Sequence, residues 1–134
     1  MKKRILFLCT GNVARSQMAE ALANAFHGDV IEAVSAGSRP GSGIHPLAVR
    51  VLAEKGIDAA GRPSKNASQF LEEDFDMVVT VCDSAAQDCP VWPGAKRLEH
   101  WPIPDPGAGG YPRFVEIRDD LERRIDDLAK QLAS

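Results

Sequence analysis

Cysteine, long apolar runs and an excess of charge of one sign are all scarce or missing in this chain. Its three cysteines are Cys9, Cys82 and Cys89, and so small an odd number does not build the disulfide framework of a secreted domain. The basic start MKKR precedes an apolar run of only five residues, ILFLC, which is shorter than the core of a signal peptide. No run approaches the length of a membrane span. We therefore expect a cytoplasmic protein without a membrane partner, whose cysteines are catalytic, metal-binding or buried.

The charge balance does not favour binding to nucleic acid. The formal net charge is -3, and the basic residues do not cluster, so no stretch supplies the positive potential that holds a phosphate backbone. At 134 residues the chain has the length of one ordinary domain. We expect residues 1–134 to form a single domain that acts as a monomer without a nucleic-acid partner.

Short apolar runs alternate with segments of helical periodicity. The runs that predict strands are residues 5–8, 30–36 and 76–81, with a weaker one at 96–100. The segments that predict helices are residues 16–26, 45–56 and 113–133. Aliphatic runs of this length are typical of strands that are covered on both faces. Their alternation with helices indicates an α/β domain with a mostly parallel sheet.

The same periodicity predicts which side of each helix is buried. In the first helix the buried positions are Ala19, Leu22, Ala23 and Phe26, and in the second they are Val49, Leu52 and Ala53. The third helix carries one apolar stripe, consisting of Phe114, Ile117, Leu121, Ile125, Leu128 and Leu132. On its polar side, Asp120 with Arg124 and Asp126 with Lys130 have the spacing of surface ion pairs.

The loop CTGNVARS, residues 9–16, lies between the first predicted strand and the first predicted helix. A loop in this position directs backbone N–H groups at one point, and the helix dipole adds partial positive charge there, so it is suited to an anion. It has neither the lysine of a Walker A loop nor the three glycines of a dinucleotide fingerprint. The sequence therefore predicts an anion site that does not belong to either nucleotide-binding class.

Cys9 and Arg15 are the residues of this loop that could react with and hold a bound anion. A cysteine at a helix N-terminus beside a guanidinium is stabilised as the nucleophilic thiolate. The planar fork of Arg15 can hold two oxygens of a tetrahedral oxyanion as charge redistributes. Gly11 and Asn12 suit a tight turn, and Ser16 can donate a hydrogen bond to the thiolate. The alternative is that Cys9 is a small buried residue at a strand end and Arg15 an ordinary first-turn residue.

The stretch CTGNVARSQMAEAL resembles the active-site loop and first helix of the low-molecular-weight tyrosine phosphatase family and of its relatives, the thioredoxin-coupled arsenate reductases. The resemblance continues through SAG at 35–37, HP at 45–46, VVTVCD at 78–83 and EHWPIPDP at 99–106. It implies a four-stranded parallel sheet with helices on both faces. It also implies Cys9 as the nucleophile, Arg15 as the oxyanion clamp and Asp105 as the general acid. The implied oxyanion-binding residues are Thr10, Gly11, Asn12, Val13, Ala14, Arg15 and Ser16.

Cys82 and Cys89 distinguish the two activities of the family. A phosphatase hydrolyses its cysteinyl-phosphate with water, whereas a reductase needs further thiols to supply two electrons. Together with the loop, these two cysteines resemble those of the arsenate reductases. The resemblance implies arsenate as substrate, phosphate or sulfate as analogues, a relay through Cys9, Cys82 and Cys89, and thioredoxin as the external reductant with no bound cofactor.

Other interpretations of these residues stay open. Cys82 and Cys89 could be packed residues of a phosphatase, and a zinc site is disfavoured because no second ligand pair or nearby histidine accompanies them. Asp-Pro is also a common turn, so Asp105 could be structural. A third class, a non-catalytic anion sensor or adaptor, would use the loop for binding alone.

One further expectation concerns residues 82–90. If they form a helical turn, Cys82 and Cys89 lie roughly 10 Å apart, whereas the Cα atoms of a disulfide are about 5.5–6 Å apart. The segment would then have to unwind when a Cys82–Cys89 disulfide forms. We expect it to act as a redox switch, which equal amide-exchange protection in the reduced and oxidised protein would contradict.

The chain departs from its relatives at two places. Where reductase loops often carry Ser-Cys, this loop has Val13-Ala14, and we expect anion binding to be retained because both positions contribute mainly backbone N–H groups. Some relatives bind potassium beside the loop. The residues that match its ligands are Asn12, Glu20 and Ser35, but Lys65 occupies the expected acidic position, so we expect no bound metal and little activation by potassium. Arg62 is expected either to attract anions or to be an exposed loop residue.

Overall fold

The computed structural model describes residues 2–82, 85 and 92–133. Its four strands are β1 (Lys3–Cys9), β2 (Ile31–Gly37), β3 (Met77–Thr80) and β4 (Leu98–His100). They form one sheet in the order β2-β1-β3-β4, and every neighbouring pair is parallel. The helices are α1 (Arg15–His27), α2 (Pro46–Ala53) and α3 (Gly110–Ala133), with short 3-10 helices at Ala67–Phe70 and Gly107–Gly109. The predicted four-stranded parallel α/β fold is confirmed.

Strand β1 lies at the centre of the sheet and ends at the site. Its residues from Ile5 to Cys9 are all buried, because β2 and β3 pair with its two edges and α1 packs against it. The chain moves outward from β1 in one direction to β2 and in the other direction to β3 and β4. A crevice opens beyond the carboxyl end of a parallel sheet where the strand order reverses in this way, and ligands bind there. Cys9 is the last residue of β1 and lies at this point.

Helix α1 buries the predicted side, except in its last turn. Ala19, Leu22 and Ala23 are buried as predicted, but Phe26 is 43% exposed, so that part of the prediction is wrong. The last turn meets the edge strand β2 instead of the core, since the Asn24 side chain donates to the carbonyl of Ala33 and accepts from its N–H. The helix ends before Gly28, as predicted.

Helix α2 begins with Pro46 at its first position, as predicted, and presents a different face to the core. The buried residues are Ala48, Val51 and Leu52, whereas Val49 is half-buried and Ala53 is exposed. Arg50 is the only charged residue in the sequence PLAVRVLA, so the pattern contains too few polar positions to fix the orientation of the helix. The contacts with α3 decide it.

Helix α3 covers the core with the predicted stripe. Five of its members are buried, from Phe114 to Leu128, and Leu132 packs partly buried against them. The Asp120–Arg124 ion pair is present at 3.2 Å. The other predicted pair is wrong, because Asp126 bonds the ring of His27 in α1 at 2.7 Å. None of the described helices is long and apolar enough to span a membrane.

The first turn of α3 is anchored to the end of α2. The Tyr111 hydroxyl donates a hydrogen bond to Glu54, and Arg118 donates to the same carboxylate. The Tyr111 bond raises the pKa of Tyr111 and lowers the pKa of Glu54. The Arg50 guanidinium lies 4.0 Å from the centre of the Tyr111 ring. These contacts fix the point at which the chain leaves the segment that carries Asp105.

Candidate active site

The sulfur of Cys9 lies at the end of β1 and is almost fully buried. The backbone N–H of Asn12 donates to it at 3.2 Å, and the Ser16 hydroxyl lies 2.8 Å from it. Asn12 adopts a left-handed backbone conformation with φ of 53°, which asparagine tolerates better than most residues. This turn brings the N–H back towards the sulfur, so two donors from the loop meet Cys9.

The carbonyl groups of residues 9–13 all face the outer side of the loop. Those of Cys9, Thr10, Gly11 and Val13 accept hydrogen bonds from the backbone N–H groups of Ser38, Arg39, Gly41 and His45, at 2.7 to 3.2 Å. The carbonyl of Asn12 accepts from Ser64 and Gln17. In a planar trans peptide the N–H points opposite to the preceding C=O. The N–H groups of residues 10–14 therefore face inward, a concave arrangement of donors that suits an anion.

The side chain of Asn12 organises the polar groups behind Cys9. Its amide nitrogen donates to Ser16 Oγ at 2.8 Å and to Ser35 Oγ at 3.0 Å. Its oxygen accepts from the Lys65 N–H and the Gln17 amide, which fixes the orientation of the amide. Because Ser16 accepts from Asn12, its own hydrogen is available for the sulfur. Both donors then point at Cys9, the arrangement that a thiolate accepts.

Gly37 lets β2 approach the loop closely. It is the register partner of Cys9, and a Cβ atom at this position would lie 2.5 Å from the Thr10 carbonyl oxygen and 3.0 Å from the Asn12 nitrogen. Both are backbone atoms of the anion loop, so neither can rotate away. No side chain other than hydrogen fits here without moving the loop.

We expect Gly37→Ala to weaken phosphate binding at least about tenfold and to lower the free energy of unfolding by about 1–3 kcal/mol, because the overpacked loop must shift. Phosphate titration and thermal unfolding measure the two effects. Gly41→Ala is the matched control, because the nearest atom to its Cβ would be a Val13 methyl group, at 2.9 Å, and the nearest backbone atom, the Gly11 carbonyl oxygen, would be in ordinary contact at 3.7 Å. Equal losses in the two variants would contradict this explanation.

Arg15 connects the loop to the segment that carries Asp105. It is the first residue of α1, and its Nη1 donates to the carbonyl oxygen of Ile103 at 3.0 Å. Asp105 follows two residues later; it is exposed, and its carboxylate accepts from the Gly107 N–H at 2.9 Å. The structure therefore connects Arg15, the predicted oxyanion clamp, with the segment that carries Asp105, the predicted acid. The contact is the Ile103 backbone carbonyl, which the sequence did not predict.

Cys82 lies beside the loop residue that follows Cys9. It comes two residues after β3 and is buried, and its sulfur lies 3.3 Å from the Thr10 hydroxyl. The Ala85 N–H also donates to it, at 3.4 Å. A second thiol is therefore placed next to the anion loop. Cys89, and with it most of the predicted redox switch at 82–90, lies outside the described residues.

Glu20 lies behind the loop with two cations on its carboxylate. Lys65 Nζ is 3.4 Å from one oxygen and Arg62 Nη1 is 3.0 Å from the other, and Ser35 donates to the carboxylate at 2.9 Å. Lys65 therefore contacts Glu20, the acidic member of the three residues that match potassium ligands. Arg62 is an ion-pair partner of Glu20 and not a free loop residue. Among the described residues, no group of three His, Cys, Asp or Glu side chains could hold a metal ion.

We expect the turnover rate in potassium chloride and in sodium chloride to agree within about twofold at equal ionic strength, because the Lys65 ammonium already neutralises Glu20. Lys65→Asp replaces the ammonium beside Glu20 with a carboxylate, so the variant is expected to turn over faster in potassium than in sodium. A strong preference of the parent for potassium would show that the ammonium does not replace the cation.

Several residues of the site carry no sequence signal of their own. Gln17 is fully buried, and its amide nitrogen donates to the Asn12 carbonyl and to that of Pro63 at 2.9 Å. Ser64 and the Ile103 carbonyl contribute through long-range contacts. A buried glutamine one position after the loop is the only one of these that could have been suspected, since a polar side chain on a buried helix face needs partners.

Comparisons with known proteins agree with this geometry. The sequence profile described as low molecular weight phosphotyrosine protein phosphatase matches residues 4–134. The arsenate reductase of Halalkalibacterium halodurans is 40% identical over 135 residues, covering 96% of each chain. A solved arsenate reductase in the phosphate binding state superposes with a TM-score of 0.87 at 30% identity, covering 98% of this chain and 99% of the other.

Two further structures carry different activities in their names. The thioredoxin-dependent arsenate reductase of Corynebacterium glutamicum has a TM-score of 0.80 at 31% identity, covering 98% of this chain and 62% of the other. The YwlE arginine phosphatase of Geobacillus stearothermophilus has a TM-score of 0.82 at 33% identity, with 98% and 93% covered. Fold, loop geometry and sequence agree, and the chain belongs to the low molecular weight phosphotyrosine protein phosphatase family.

Proposed function

We propose that this protein reduces arsenate to arsenite for arsenic detoxification, with thioredoxin as the external reductant. The observation that carries the proposal is the position of Cys82, whose sulfur lies 3.3 Å from the Thr10 hydroxyl in the anion loop. A phosphatase needs only Cys9, Arg15 and Asp105, whereas a reductase needs a second thiol that can reach the first. The curated relatives named arsenate reductase and the thioredoxin-dependent structure support the same reaction.

The first step uses the loop alone. Arsenate occupies the concave face of the N–H groups of residues 10–14, with Arg15 on two of its oxygens. The Cys9 thiolate attacks arsenic, so an S–As bond forms and an As–O bond breaks. Asp105 gives a proton to the departing oxygen, which leaves as water. Phosphate and sulfate are tetrahedral oxyanions and bind in the same place.

The second step uses the other two thiols. The Cys82 thiolate attacks the Cys9 sulfur, so an S–S bond forms and the electron pair of the S–As bond passes to arsenic, which leaves as arsenite. Cys89 then attacks Cys82 and releases Cys9 as a thiolate. Thioredoxin reduces the resulting Cys82–Cys89 disulfide with its two thiols and is itself oxidised. In this proposal the enzyme acts in the cytoplasm, as a monomer of one domain spanning residues 1–134.

Phosphate monoester hydrolysis is the second candidate. The complete loop with Cys9 and Arg15, and the similarity to the arginine phosphatase, favour it. The first step is shared by both reactions, so slow ester hydrolysis is expected from a reductase as well. The two activities diverge only after Cys9 has attacked, when either water or a second thiol cleaves the covalent adduct.

The test is arsenate-dependent oxidation of NADPH with thioredoxin and thioredoxin reductase. The parent is compared with Cys82→Ser and Cys89→Ser, and each protein is also assayed with an aryl phosphate. We expect the parent to sustain turnover of arsenate and both variants to lose it while retaining slow ester hydrolysis. If both variants keep the arsenate activity of the parent, Cys82 and Cys89 do not form the relay. If the parent cleaves esters well and does not turn over arsenate, the protein is a phosphatase.

A further inference from the structure

The guanidinium of Arg15 is held by a backbone carbonyl from a distant part of the chain. Its Nη1 donates to the Ile103 oxygen at 3.0 Å, across 88 positions of sequence. This bond uses one of five N–H donors, so the fork can still offer two others to an oxyanion. Long arginine side chains lose considerable rotamer freedom when they are ordered, and a fixed acceptor removes that cost before the anion arrives.

The Ile103 carbonyl is itself held in place. The N–H of Trp101 donates to Thr80 at 2.8 Å and extends the pairing of β3 with β4, and the Ile103 N–H donates to the Trp101 carbonyl at 2.8 Å. The side chains of Trp101 and Ile103 are buried, and the Trp101 ring lies 5.8 Å from that of Phe7 in β1. The peptide that carries the acceptor is therefore tied to the two central strands.

Proline restricts the remaining freedom of that carbonyl. In the sequence WPIPDP, Ile103 precedes Pro104, and a residue before proline is confined to extended backbone conformations. The ψ angle of Ile103 sets the direction of its carbonyl, so Pro104 limits where the oxygen can point. Pro104 itself is exposed, and beside it lie Arg113 and Ile117 of α3.

We propose that the Ile103 carbonyl, oriented by Pro104, is the positioning group that fixes the guanidinium of Arg15 for the oxyanion. Asp105 is the next residue after Pro104, so one short segment sets the position of both the clamp and the acid relative to Cys9. The inference rests on the proposed function, because it takes Arg15 as the group that binds the substrate oxygens.

The test is a double-mutant cycle with inorganic phosphate as the probe. Phosphate affinity is measured on reduced protein by chemical-shift titration, which remains accurate for weak binding, in the parent, Pro104→Gly, Arg15→Lys and the double variant. Pro93→Gly is the matched control: Pro93 is also exposed and follows a buried tryptophan, Trp92, but its turn bonds Phe75, just before β3 begins, at the end of the sheet away from Cys9. Amide spectra verify that each variant is folded.

We expect Pro104→Gly to weaken phosphate binding roughly three- to tenfold and Arg15→Lys about a hundredfold, while Pro93→Gly stays within about twofold. In the Arg15→Lys background, Pro104→Gly is expected to have no further effect, because its action passes through the guanidinium. Unchanged affinity in Pro104→Gly, or an equal loss with arginine and with lysine at position 15, would overturn the inference. An Arg15→Lys variant that binds phosphate as tightly as the parent would instead refute the role of Arg15 in the proposed function.

Discussion

Cys9→Ser is expected to abolish both arsenate reduction and ester hydrolysis, lowering kcat by on the order of 10⁵ or more, as loss of a covalent nucleophile does elsewhere. A serine hydroxyl stays protonated at neutral pH and has no adjacent base in the described site to activate it. It also cannot form the disulfide through which arsenic receives its electrons. The assays are the coupled NADPH reaction for arsenate and initial rates for an aryl phosphate.

The matched control is Cys82→Ser, which makes the same change of sulfur to oxygen in the next thiol. It is expected to lose arsenate turnover but to retain the attack by Cys9, which is visible as slow ester hydrolysis. Phosphate binding is expected to survive in Cys9→Ser, because the loop N–H groups and Arg15 are unchanged. Arsenate turnover by Cys9→Ser above a few per cent of the parent rate would mean that another group is the nucleophile.

Arg15→Lys is expected to lower kcat/KM for arsenate roughly 10²- to 10³-fold, although the charge is preserved. The guanidinium offers paired N–H groups in one plane, whereas an ammonium is a point charge that cannot hold two oxygens in the same geometry. The ammonium also has no rigid plane for the Ile103 carbonyl to orient. Steady-state kinetics with arsenate measures this loss.

Arg123→Lys is the control for this substitution. Arg123 lies on α3 with a side chain that is 72% exposed, so its replacement is expected to leave kcat/KM within about twofold of the parent. If Arg15→Lys retained more than about a third of the parent value, positive charge alone would explain the contribution of Arg15, and bidentate geometry would not be needed.

The sequence was sufficient for the parts of the fold that depend on local patterns. The strand positions, the Pro46 start of α2 and the stripe of α3 follow from periodicity and capping. The helical pattern wrongly predicts a buried Phe26 because it does not show where the sheet beneath the helix ends. Spacing predicts that Asp126 pairs with Lys130, whereas its bond to His27 depends on the packing of α1 against α3.

The same division applies to the site. Cys9, Asn12 and Ser16 come together because they are neighbours in one loop, so sequence spacing predicted their proximity. The contact of Arg15 with Ile103 and that of Thr10 with Cys82 join residues far apart in the chain. Only the sheet order, with β1 beside β3, brings them together, and the resemblance to a known family anticipated the cysteine but not the carbonyl.

The hydrogen bonds that run from Cys9 through Ser16, Asn12 and Ser35 to Glu20 have a consequence for where protons travel. The amide nitrogen of Asn12 donates both of its hydrogens and cannot accept one, so this series of hydrogen bonds cannot relay a proton past Asn12. These groups therefore offer no path for a proton between the Cys9 sulfur and the carboxylate of Glu20. In the proposed reaction, protons therefore enter and leave the site from the open side of the loop, where solvent and the oxyanion would lie.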